Sequence, residues 1–115
     1  MATFGVTHWD VRPDVRRVAN HVAARFGCTW NTYRDHPPGA GLDAVSVDFW
    51  DVGGRGDHLP RRKRRRITRY LRRRNGSPQW RWIINGGTGY LPGGATFVPF
   101  GGPEWNAGHV HVTFS

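Results

Sequence analysis

The sequence is short of several things, and each shortage excludes something. A single cysteine, Cys28, in 115 residues excludes an internal disulfide and any zinc module built on several thiolates. Four leucines (Leu42, Leu59, Leu71 and Leu91) are too few for a helical bundle, and six Trp, six Phe and three Tyr take over much of the burial. No apolar run approaches the roughly 20 residues that span a bilayer, so no transmembrane segment is expected. The start, MATFGVTHWD, lacks the basic and apolar regions of a secretory signal. The chain is therefore expected to be made in the cytoplasm without a signal peptide, and to act outside the cell only if exported or released. Its length suits one domain, residues 1–115, expected to be monomeric.

Acidic residues are also scarce. Eight Asp and Glu face 17 Lys and Arg, for a net charge of +9. Ten of the basic residues lie between Arg61 and Arg74, and the remaining seven are offset by the eight acids. A near-neutral domain thus carries one very basic segment. Like charges three and four residues apart repel one another on a helix, so Arg61–Arg74 is expected to meet a polyanion.

Pro13 to Phe26 places Val15, Val18, Ala19, Val22, Ala23 and Phe26 on one helical stripe, with Pro13 and Asp14 in the first turn and Gly27 as terminator. Cys28 to Tyr33, Ala44 to Trp50, Trp80 to Ile84 and His109 to Phe114 read as strands. In the second, Val45, Val47 and Phe49 alternate with Ser46, Asp48 and Trp50; in the last, His109, His111 and Thr113 oppose Val110, Val112 and Phe114. Ile67, Tyr70 and Leu71 give the basic segment a narrow helical stripe. Asp35 to Gly41 reads as a loop, and Asn85 to Gly108 as a long Gly- and Pro-rich one. The expected fold class is α+β, a small antiparallel sheet with one or two helices packed on it.

His109-Val110-His111 puts two imidazoles on the same side of a strand, roughly 7 Å apart. Such a pair can supply one metal ligand and one supporting or catalytic imidazole, although a lone His-x-His is more often just two polar residues on a solvated face. His36, in the Pro/Gly loop, and Asp48, on the strand after it, complete a set of two histidines and one aspartate. Three N/O ligands with an open fourth position are what a catalytic zinc uses. Such a zinc acidifies water and polarises a carbonyl.

Thr32-Tyr33-Arg34-Asp35-His36-Pro37-Pro38-Gly39, then Gly41 to Trp50 (GLDAVSVDFW), Gly53 to Asp57 (GGRGD), Arg81 to Ile84 (RWII) and the ending His109 to Phe114 (HVHVTF) follow in a specific order. In that order the chain resembles the zinc D-alanyl-D-alanine carboxypeptidases and L-alanyl-D-glutamate endopeptidases, whose fold is shared with the Hedgehog signalling domain. It looks like the peptidase domains of actinobacterial and actinophage cell-wall lytic proteins, over nearly its whole length, with Arg61–Arg74 the least typical part. The resemblance implies a zinc metallopeptidase of Hedgehog/DD-peptidase-like fold that hydrolyses a peptide bond in peptidoglycan stem peptides. By position it makes His36, Asp48 and His111 the Zn2+ ligands. His109 would polarise the substrate or stabilise the tetrahedral intermediate, and Arg34 would orient a carboxylate or carbonyl. The polyanion met by Arg61–Arg74 would then be an anionic cell-wall polymer.

The chain departs from the family pattern at two points. The common His-x6-Asp spacing is met by Asp43, which precedes the strand, whereas Asp48 has the small-x-Asp-aromatic context and is preferred. Three residues before the last ligand, where an Asp, Glu or His often acts as general base, stands Gly108. Glu104, the only glutamate, could take that role from the preceding loop, or His109 could. Two other functions fit parts of the pattern. One is a metal-dependent nucleic-acid-binding or nicking protein using His-x-His and the basic helix, although no tyrosine follows His111 to act as nucleophile. The other is a catalytically inactive zinc-containing module that binds cell wall. His8, His21 and His58 read as structural or solvated, Cys28 as a small buried residue, Trp80 and Trp82 as core residues sharing a strand face, and Trp50 and Trp105 as flanking the site.

Overall fold

The first helix forms where the apolar stripe places it. In the computed structural model, which describes residues 11–32, 45–99 and 108–115, α1 runs from Pro13 to Phe26 and buries Val15, Val18, Ala19, Val22 and Ala23. The Asp14 carboxylate accepts from the Val15 N–H and from the Arg12 guanidinium, which holds it below the usual carboxylate range. Gly27, at φ 63°, turns the chain out in the left-handed conformation that closes a helix, and the Cys28 N–H caps the Ala23 carbonyl.

Among the described residues six strands follow: β1 (Thr29–Asn31), β2 (Ser46–Trp50), β3 (Trp80–Asn85), β4 (Thr88–Tyr90), β5 (Thr96–Phe97) and β6 (Val110–Phe114), with α2 (Arg61–Arg73) between β2 and β3. They form one sheet in the order β1-β2-β6-β3-β4-β5, every neighbouring pair antiparallel. An antiparallel sheet with two helices is the α+β class that the sequence indicates. No helix among the described residues is long and apolar enough to cross a membrane.

The alternation of β2 and β6 sorts the sheet into two unlike faces. Trp30, Val47, Phe49, Ile83, Val110, Val112 and Phe114 point to the helix side, where they join Val11, the α1 stripe, Leu59, Ile67 and Leu71 in one apolar core. Registered neighbours across strands share a face, so the other side carries Asn31, Asp48 and His111 in one row, and Ser46, Thr113 and Trp82 in the next. Two expectations change here. A register shift between Trp80 and Trp82 breaks the alternation at Arg81: Trp80 packs against the core while Trp82 pairs with Thr113 on the polar side. The stretch after Asn85 also contains β4 and β5, strands of three and two residues, too short to show a period.

α2 has little local support. Its N-cap is Pro60, with no side-chain acceptor, and its first turn holds no acid, so four basic residues face the positive end of the helix dipole. Burial of Ile67, Thr68 and Leu71 holds it instead. Lys63 bridges to Asp51 at 2.7 Å and donates to the Gly27 carbonyl at 2.7 Å. Arg64 reaches Asn85 and the Leu59 carbonyl, and Arg74 the Pro78 carbonyl.

Two outcomes are expected. Arg61/Arg65, Arg62/Arg66, Arg65/Arg69 and Arg69/Arg73 are like-charge pairs four apart, together costing about 1 kcal/mol at low salt. Salt screens them, so the melting temperature should rise by about 3–6 °C between 20 mM and 500 mM NaCl; a fall would show that attractive surface pairs dominate. Cys28 is the second case. Burial pushes its thiol up to about 11, with Lys63 pulling it down and Asp51 adding to the rise. Thiolate is the reactive form, so iodoacetamide at pH 8 should label unfolded chain readily and native chain hardly at all.

Candidate functional site

On the polar face of the sheet, β2 and β6 lie side by side with Asp48 opposite His111. Asp48 is 3% exposed. Its Oδ1 lies 2.7 Å from His111 Nδ1 and 3.6 Å from His109 Nε2. Two imidazole nitrogens thus converge on one buried carboxylate oxygen. The far nitrogen of His111, Nε2, is 2.9 Å from the Thr113 hydroxyl, and that hydroxyl is 2.8 Å from the Ser46 hydroxyl. Asp48, His111, Thr113 and Ser46 form one continuous chain of hydrogen bonds. It fixes the plane and direction of the His111 ring, as supporting partners do for metal-ligating histidines.

His109, just before β6, is held differently. Its ring stacks on Trp50, centroids 4.4 Å apart and planes 20° apart. The indole is placed by β2 and the imidazole by the turn into β6, so the stack depends on the register of the two strands.

His58 joins them. The segment from Asp51 to Asp57 is a compact turn tied by Asp51 N–H to the Asp57 carbonyl and Gly53 N–H to the Asp57 carboxylate. Beyond it the Leu59 N–H donates to the Gly108 carbonyl at 2.8 Å, pinning the turn to the residue before His109. The His58 ring then lies 6.3 Å from the Trp50 ring, with the two planes 30° apart. A Cβ at position 108 would meet the His58 ring at 2.4 Å, and Gly108 has φ 87°. Position 108 therefore excludes a side chain twice over, by backbone conformation and by the imidazole already there. His58 is exposed, in keeping with the reading of it as structural or solvated, and sits beside this site. Its only signal in the sequence was the Gly before His-Val-His.

Of the residues expected to form the site, the fold brings Asp48, His109 and His111 together. Arg34, His36, Asp43, Glu104 and Trp105 lie outside the described residues. Arg61–Arg74 belongs to the helix side of the sheet, away from Asp48. Among the described residues, no group of three His, Cys, Asp or Glu side chains is arranged to hold a metal ion.

The donors present suit zinc in kind, one carboxylate oxygen and imidazole nitrogen. Zinc bonds of about 2.0–2.1 Å at tetrahedral angles put donor atoms about 3.3 Å apart, more than the 2.7 Å that separates Asp48 Oδ1 from His111 Nδ1 here. Among the described residues, neither amide atom of Asn31, opposite Asp48 in register and 1% exposed, has a hydrogen-bond partner, and neither does Trp50 Nε1. Buried polar atoms are seldom left so without water or a ligand.

Comparison of the chain with protein-family models, with curated proteins and with solved structures finds no match.

Gly108→Ala should destabilise the fold by about 2–4 kcal/mol, from the left-handed backbone and the collision with His58 together. Chemical denaturation would measure it. In a Gly108→Ala/His58→Ala double variant, about half the loss should return; full additivity would mean that the His58 ring does not fill this space.

Proposed function

We propose that the chain is a zinc-dependent peptidase of Hedgehog/DD-peptidase-like fold that cuts a peptide bond in peptidoglycan stem peptides. The observation that carries this reading is the convergence of His111 and His109 on buried Asp48, in the strand context where the sequence resemblance puts ligand, ligand and catalytic histidine. Held by Asp48, His111 and His36, zinc would polarise the scissile carbonyl and acidify the attacking water.

The protein's own side chains divide the remaining work. Thr113 and Ser46 orient His111, so that its Nδ1 stays directed at Asp48. Stacked on Trp50, His109 donates to the carbonyl oxygen as negative charge develops there. His58 occupies the space that a base at position 108 would enter, and its exposed imidazole takes the proton from water and passes it to the leaving amine. Glu104 is the second candidate for that proton, and Arg34 orients the substrate carboxylate or carbonyl. In this reading the acting place is the cell wall.

Metal content of the purified protein is the first test. One equivalent of zinc is expected, with Asp48→Ala and His111→Ala each lowering occupancy sharply and Asp43→Ala retaining it. Zinc lost from Asp43→Ala and kept by Asp48→Ala would overturn the ligand assignment. With zinc retained, His109→Ala should cost about 10²–10³ in kcat on a stem peptide. His58→Ala should cost about 10²–10⁴ in kcat. Unchanged kcat in His58→Ala, with loss in Glu104→Gln, would pass the base role to Glu104. A zinc-loaded protein that binds cell wall and cleaves no stem peptide at any pH would be a binding module.

A further inference from the structure

α2 carries far more charge than its fold uses. Lys63, Arg64 and Arg74 make the ion pair and hydrogen bonds that anchor the helix. The other seven basic side chains, Arg61, Arg62, Arg65, Arg66, Arg69, Arg72 and Arg73, are exposed, and among the described residues none has an ion pair or hydrogen bond. Arg65, Arg69 and Arg73 succeed one another at one-turn intervals, roughly 6 Å apart along the axis.

This row separates two grooves. One, of about 460 Å³, lies between α2 and the β3–β4 side of the sheet and is lined by Arg65, Arg69, Arg72 and Arg73 with Trp80 and Tyr90. The other, of about 540 Å³, lies towards α1 and is lined by Arg25, Arg66, Arg69 and Arg73 with Phe26 and Tyr70. In both, guanidinium groups lie over ring faces: Arg72 is 4.4 Å from the Tyr90 centroid, Arg25 is 5.2 Å from Tyr70, and Arg66 is 5.8 Å from Phe26. All four rings are half-buried, with one side packed on the core. The rings are rigidly backed, and the arginines above them extend a planar surface into each groove.

We infer that this double groove is a binding site for single-stranded nucleic acid, independent of the peptidase reading and on the other side of the sheet from Asp48. Unpaired arginines in a row neutralise a phosphodiester backbone. Guanidinium-on-ring platforms take the flat faces of unpaired bases, the pairing of features by which single strands are bound without sequence preference. A polyol-phosphate polymer would use the charges and leave the rings without a role. A duplex would hide the base faces that these platforms are placed to meet.

Fluorescence anisotropy with the intact chain and a labelled 12-nucleotide oligo(dT) tests this. The expected Kd is about 10⁻⁶–10⁻⁵ M at 50 mM salt, with a log–log salt slope of about −3.5 to −5 for five to seven phosphates. Oligo(dT) should bind at least fivefold tighter than an abasic oligomer of equal phosphate count, than poly(glycerol phosphate) and than a duplex of equal length. Arg69→Gln with Arg73→Gln, both exposed, should flatten the slope by about 1.4. Tyr90→Leu should lose about tenfold on oligo(dT) and nothing on the abasic oligomer. Absence of binding at 50 mM salt would overturn the inference. So would equal or tighter binding of any of the three comparison polymers by the unaltered protein, a measurement that depends on no variant folding.

Discussion

The carboxylate of Asp48 is nearly sealed inside the sheet, and the arrangement around it answers that one constraint. An ionised group removed from water has to be paired and hydrogen-bonded, or it neutralises. Asp48 meets two histidines, His111 on the neighbouring strand and His109 just before it, the first in a hydrogen-bond chain that ends on Ser46 of Asp48's own strand. Removal of a hydrogen-bonding partner from such a buried set typically costs about 1–3 kcal/mol, because a buried polar group is left unsatisfied. A one-residue slip between β2 and β6 would turn Asp48 into the apolar core and expose Val47 and Phe49. The same carboxylate therefore helps to set the register of the sheet and to gather the candidate site.

The sheet separates two kinds of electrostatics that would interfere if mixed. The polar face holds a small, buried set of groups hydrogen-bonded around Asp48. The opposite side carries helices, and beyond them a dense positive surface whose field is screened within about 8–10 Å at ordinary ionic strength. Arginines facing solvent on α2 retain their hydration and can exchange it for phosphate, while their helix is held by a narrow stripe of Ile67, Thr68 and Leu71. Stability of that helix comes from the core, and its charge is left over for a partner.

Gly108 shows how a local departure from a pattern can have a distant cause. By itself, a glycine three residues before His111 reads as a lost functional group. In the fold it is the gap into which His58 fits, 50 positions earlier in the chain, delivered by the Asp51–Asp57 turn and fastened by the Leu59–Gly108 hydrogen bond. Backbone at φ 87° favours glycine in any case, so both reasons select the same residue.

Much of this protein was legible in the sequence. The amphipathic stripe of α1, the alternation of β2 and β6, and the confinement of charge to Arg61–Arg74 follow from spacing alone, because helix and strand periods are properties of consecutive residues. Spacing also put Asp48, His109 and His111 on the less apolar sides of their strands. Their meeting depended on which strands pair and in what register, and that is a long-range choice made by the core. The short strands β4 and β5, the break in alternation between Trp80 and Trp82, the placing of His58 and the two arginine–aromatic grooves were likewise decided by tertiary structure. Each rests on contacts between residues far apart in the chain, where no local period exists to be read.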